Sequence, residues 1–153
     1  MTAPARTSAQ RQDDTRRRLE QDVDLWIATA DPDSGKPYLV PLSFLWDGAT
    51  LLVATPAASS TGRNLQVTGL ARLALGPTRD VVTIEARVEV VLAGKLPAVE
   101  ADAFAERTGF DPREQRTLYH YFRAHPQRIQ AWREANELAD RELMRGGEWL
   151  VDS

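Results

Sequence analysis

The chain contains no cysteine. That excludes a disulfide framework, a thiol nucleophile and any Cys-based zinc or iron–sulfur site. Histidine is nearly absent too. His120 and His125 are the only two, and five-residue spacing does not put them on one helical face. With Pro126 directly after the second, they read as surface or interface residues near a helix end. No run of 18 apolar residues occurs, so no membrane-spanning helix is expected. The N-terminal stretch MTAPARTSAQRQDDTRRR lacks the apolar region of a secretory signal, and a cytoplasmic location is the expectation. Excess charge is small, −3 over 153 residues, which argues against nucleic acid as the main partner. Lysine is scarce: of 19 basic residues only Lys36 and Lys95 are lysines. An arginine in this chain therefore carries functional weight only where its setting is special.

What is present is ordinary globular material, 42% apolar and 27% charged, enough for one domain. Residues 1–12 are polar and small and read as a flexible tail, leaving 13–153 as a single domain. A surface helix is expected over about 13–24, with Leu19 and Val23 as a narrow stripe. Strands are expected over Leu25–Ala30, from Pro37 or Tyr38 to Leu45, over Thr50–Thr55, Leu70–Leu75 and Val81–Leu92. DPDSGK, Trp46-Asp47-Gly48 and Gly76-Pro77 supply turns between them. Pro41 cannot donate a ladder hydrogen bond, so its strand belongs at an edge, a bulge or a ligand-facing position. Helices are expected over Ser60–Thr68, closed by Gly69, and over about 97–107. A fourth helix is expected to start at Asp111-Pro112-Arg113-Glu114, to share a face among Leu118, Tyr121 and Phe122, and to end at His125-Pro126. Arg128–Arg133 reads as a last barrel strand, 134–145 as helix-prone, and Trp149–Val151 as a short strand. Successive antiparallel strands without crossover helices favour a small barrel over a doubly wound sheet, and no Gly-x-Gly-x-x-Gly motif occurs.

The strongest polar cluster is Thr55, Ser59, Ser60, Thr61, Arg63 and Asn64. Ser59 or Ser60 can cap the following helix and leave further N–H groups pointing outward. Such a terminus favours an anion, and Arg63 can add a bidentate contact. Gly62 is expected to keep the approach open. The preceding strand, Val40-Pro41-Leu42-Ser43, can lie along a planar heterocycle. The same residues also fit a capped helix, a solvated arginine and ordinary sheet core.

Trp26-Ile-Ala-Thr-Ala, PYLVPLSFLWDGATLLVATP, SSTGRNL and VVTIEARVEVV together resemble the pyridoxamine 5′-phosphate oxidase-like proteins over about residues 15–153. The resemblance implies a mainly β fold with peripheral helices: a six-stranded antiparallel split β-barrel that forms a homodimer with two cofactor sites at the interface. It implies FMN, with deazaflavin F420 as the alternative, and a small-molecule substrate, with no nucleic acid or membrane partner. Val40–Ser43 would lie beside the ring system; Thr55 and Ser59–Asn64 would approach the ribityl chain and phosphate. Arg63 matches the basic phosphate ligand of such proteins. Trp132 and Arg133 match a region that often reaches the partner's site. The WLVDS ending lacks the basic terminus of true pyridoxamine phosphate oxidases, which argues against that substrate. Three further readings remain on the same scaffold: an F420-dependent reductase, a non-catalytic flavin or tetrapyrrole carrier, and a cofactor-free dimerisation module.

Overall fold

The computed structural model describes residues 3–151. Three α-helices and nine β-strands follow one another along the chain. They are α1 (Ser8–Gln21), β1 (Asp24–Ala30), β2 (Pro37–Ser43), β3 (Leu45–Trp46), β4 (Leu51–Pro56), α2 (Ser60–Thr68), β5 (Leu70–Leu75), β6 (Val81–Val91), α3 (Ala98–Thr108), β7 (Tyr119–Trp132), β8 (Glu142–Arg145) and β9 (Glu148–Trp149). The sheet runs β2-β1-β5-β6-β7-β4-β3, with β8 added to β7 and β9 to β8. Every pairing is antiparallel. β2 and β3 are two halves of one strand, broken at the fully buried Phe44. The first half pairs with β1 and the second with β4. Six long strand paths thus come round on themselves, and the free edge of β2 leaves the split. This is the mainly β, split-barrel architecture with peripheral helices.

Period-two alternation fills the barrel. Leu25 and Ile27, Leu73 and Leu75, and Ile84 point inward and are 1–3% exposed. β4 is buried on both faces: Leu51 and Val53 join the main core, while Leu52 joins a second core under α3 with Leu96, Phe104 and Tyr121. Phe104 meets Tyr121 edge to face, ring centroids 5.6 Å apart at 89°.

Five expectations need correction. The loose tail through residue 12 gives way to helix at Ser8, because Thr7 and Gln10 form a reciprocal capping box; residues 1 and 2 of that tail lie outside the described residues. α1 also stops at Gln21, before Val23, and buries Arg11, Gln12, Thr15 and Leu19. A largely polar buried face carries no apolar stripe to read.

The helix expected from Asp111 to His125 is a single 3₁₀ turn, Pro112–Glu114, capped by Asp111 as anticipated. Tyr119–Trp132 is instead the longest strand. Tyr121 and Phe122 face opposite cores and Leu118 is 59% exposed, so the three share no face. Pro126 ends nothing: it sits at a β-bulge opposite Ala86, with Gln127 as the extra residue, where a missing donor is tolerated. Residues 134–145 form a 3₁₀ turn at Ala135–Glu137 and then β8, not a helix, with Asp140 at φ 57° in the turn between them. The terminal strand is Glu148–Trp149 and stops before Val151.

Candidate functional site

β4 runs into α2 through a turn whose hydroxyls are already engaged. Ser59 caps the helix: its Oγ accepts from the Gly62 amide at 3.0 Å, donates to the Pro56 carbonyl at 2.8 Å and lies 3.3 Å from Thr55 Oγ1. The Ser60 and Thr61 amides find no partner among the described residues. That is the arrangement an anion complements. Gly62 serves packing rather than access. A Cβ there would lie 2.3 Å from the Pro56 carbonyl oxygen and 3.0 Å from that of Ala57, so only glycine lets the first turn of α2 sit this close to the strand end.

The nine-residue α2 then turns one side to the barrel and the other to solvent. Thr61 and Asn64 are buried, and Asn64 Nδ2 donates to Thr29 Oγ1 at 3.1 Å. This contact locks α2 onto β1 and brings the β1–β2 turn beside Arg63. Between them lies a cavity of about 440 Å³ lined by Ser60, Arg63 and Asn64 from α2 and by Asp31, Lys36 and Tyr38 from the turn side. Small-molecule sites span roughly 300–1,000 Å³. The Asp31 carboxylate is drawn into the turn, accepting from the Ser34 amide at 2.8 Å and the Asp33 amide at 2.9 Å. Those bonds, Ser34's first, hold its carboxyl below the usual range. The Arg63 amide donates to the Ser59 carbonyl at 2.8 Å, but the Arg63 side chain makes no hydrogen bond or ion pair among the described residues. The donor set fits a phosphate: a free amide at Ser60 and an uncommitted Arg63 guanidinium line the cavity, and the free amide of the buried Thr61 follows Ser60 in the same turn.

Val40, Pro41, Leu42 and Ser43 lie on β2, which pairs only with β1. Pro41 is thus at an edge, as its missing donor requires. Alternation splits the four. Val40 and Leu42 pack against the core, while Pro41 faces outward opposite Trp26. Ser43 Oγ donates to Asp24 Oδ1 at 2.7 Å. What the four offer together is a backbone edge. Trp132 and Arg133 are not brought to the Arg63 cavity within one chain. The Arg141 guanidinium lies over the Trp132 ring, 5.6 Å from its centroid, and Arg133 pairs with Asp80 at 3.2 Å.

Sequence reasoning did not find Lys36, Asp31 and Tyr38. They lie some thirty residues before Arg63, and the packing of α2 on β1, which includes the buried Thr29–Asn64 contact, brings them beside it. A second cavity of about 520 Å³ opens on the outer face of β1, β5 and β6, lined by Ala28, Ala30, Leu70, Arg72, Glu85 and Arg87 among others. Its Arg72 is paired with Glu85 at 3.0 Å. Among the described residues no group of three His, Asp or Glu is placed to hold a metal ion, and no helix is long and apolar enough to cross a membrane.

The pyridoxamine 5′-phosphate oxidase family model matches residues 12–135, from within α1 to the end of β7. The chain belongs to the pyridoxamine 5′-phosphate oxidase family. Membership places it in a superfamily of flavin-binding oxidoreductases. No curated protein matches its sequence. Solved structures share its fold at low identity. An F420 reductase is 17% identical, with a TM-score of 0.62 over 74% of this chain and 94% of that one. HutZ, a heme storage protein from Vibrio cholerae, is 17% identical at TM-score 0.67 over 90% and 98%. General stress protein 26 from Bacillus anthracis is 16% identical at 0.57 over 79% and 93%.

Proposed function

We propose that this member of the family is an FMN-dependent oxidoreductase working as a homodimer on a small-molecule substrate. The observation that carries the reading is the cavity beside the start of α2, where an unpaired Arg63 and free helix amides wait for an anion. FMN, when bound, supplies two-electron transfer at its N5. Arg63 and the Ser60 and Thr61 amides would hold the phosphate, and the edge of β2 would orient the ring. Asp31 and Asp33 on the same rim disfavour a long polyanionic tail, which supports FMN over F420.

The homodimer reading rests on the outer sheet face. Trp26, Leu39 and Leu70 are 50–60% exposed there, an apolar strip that a second copy would cover. Trp132 and Arg133 would reach the partner's site across that interface.

The test is a fluorescence titration of cofactor-free protein with FMN, riboflavin and F420. Preferred binding of FMN is expected. Arg63→Ala should weaken FMN roughly tenfold to a hundredfold, the range of hydrogen bonds to charged groups, and leave riboflavin unchanged. Preferred binding of F420 would move the protein to the deazaflavin branch. An unaltered FMN affinity in Arg63→Ala would remove Arg63 from the site.

A further inference from the structure

We propose that Lys36 is a second cationic arm of the phosphate site, reaching from the β1–β2 turn toward Arg63 on the opposite wall, and that the pair selects a single terminal phosphate. This rests on the flavin reading of the same cavity. Lys36 and Arg63 line one space, and neither side chain has a hydrogen-bond or ion-pair partner among the described residues. Most basic side chains elsewhere are committed: Arg6, Arg18, Arg113, Arg123, Arg128 and Arg133 all sit in ion pairs. Asp31 and Asp33 line the same rim; the Asp31 carboxylate accepts from the Asp33 and Ser34 amides of its own turn and makes no ion pair with Lys36 or Arg63 among the described residues.

The turn that carries Lys36 is stiff. The Asp31 amide donates to the Lys36 carbonyl at 2.9 Å, and the Gly35 amide donates to the Asp31 carbonyl at 2.9 Å. The Lys36 amide donates to Ser34 Oγ at 3.2 Å. Gly35 adopts φ +72° with open space around it, so conformation rather than room demands glycine there. A cation on a fixed backbone loses less freedom when a ligand arrives. A phosphate monoester seated between Lys36, Arg63 and the amides of α2 meets two positive charges, which suits its own charge. A longer polyanion would extend past the rim toward Asp31 and Asp33 and be repelled.

Lys36→Ala, Lys36→Arg and Arg63→Ala proteins, titrated with FMN and with riboflavin by fluorescence at low and high salt, decide the matter. Lys36→Ala is expected to weaken FMN roughly tenfold, to reduce the salt dependence of FMN binding and to leave riboflavin unchanged. Lys36→Arg should restore most of the affinity. Wild-type FMN affinity in Lys36→Ala together with a loss in Arg63→Ala would remove Lys36 and leave the site standing. Wild-type affinity in both variants would overturn the phosphate site itself.

Discussion

At the N-terminal end of the molecule, Arg6 places its guanidinium against Glu137, at 2.7 and 3.0 Å, and against Asp14 at 3.0 Å. Arg11 reaches the Glu137 carbonyl at 2.9 Å, and the Arg133 amide closes on Glu137 Oε1 at 2.9 Å. Gln12 then exchanges two hydrogen bonds with the Val151 backbone, at 2.7 and 3.2 Å. At the start of α2, Arg63 and Lys36 face a cavity with nothing in their grasp. The same residue chemistry serves two ends. Where the cations are largely matched, it ties α1 and the segment before it to the residues from Ala131 to Val151. Where a cation is left open beside free amides, it carries the proposed phosphate site. In a sequence this rich in arginine, pairing separates the two cases; abundance does not.

The matched end should show the largest effect on stability. Glu137 is 2% exposed, and Glu137→Ala leaves the Arg6 guanidinium with Asp14 alone as a hydrogen-bond partner and strands the Arg133 amide. A cost of about 3–5 kcal/mol is expected, read from denaturant melts. The Arg6 bond, ahead of the others, holds the Glu137 carboxyl at about 2 against an ordinary 4.5. A lowered folded-state value means stability present above the unfolded value and lost as pH falls through the folded one. Wild-type protein should therefore lose stability from about pH 4.5 toward pH 2 more steeply than Glu137→Gln, and parallel slopes would contradict the clasp.

Gly62→Ala tests the open end without touching a charge. The added methyl meets the Pro56 carbonyl and must push α2 off the strand end. A loss of about 1–3 kcal/mol is expected, with weaker FMN binding, since the free amides move with the helix. A stable variant with full FMN affinity would show that the close approach is unimportant. The smallest effect belongs to the outer face. Arg72 is 71% exposed in its pair with Glu85, and Arg72→Ala should cost under about 1 kcal/mol with no change in FMN affinity. A large loss of FMN binding there would shift attention to the outer cavity.

How far sequence carries depends on the distance between the residues that decide. β1, β4, β5, β6 and α2 follow local alternation and caps, and they lie within a residue or so of expectation. A cap at Ser59 or Ser60 is legible for the same reason, and the structure puts it on Ser59. β7 was misread because Asp111-Pro112 is a sound helix start whose helix lasts one turn, and because Pro126 acquires its bulge only from pairing with Ala86. α1 starts earlier than its apolar pattern suggests because its buried face is polar and its Arg11 and Gln12 bond to backbone more than a hundred residues away. Of the proposed site, Arg63 and its helix lie in one short segment that local pattern can mark, whereas Lys36 comes to the same cavity from the β1–β2 turn, a juxtaposition that only the folded chain makes.

The most direct measurement is a crystal structure of the protein soaked with FMN. The account expects the phosphate within hydrogen-bond distance of the Ser60 and Thr61 amides and of Arg63, with the ring along the edge of β2. A phosphate held instead by Arg72 or Arg87 on the outer sheet face, with the Arg63 cavity empty, would contradict it.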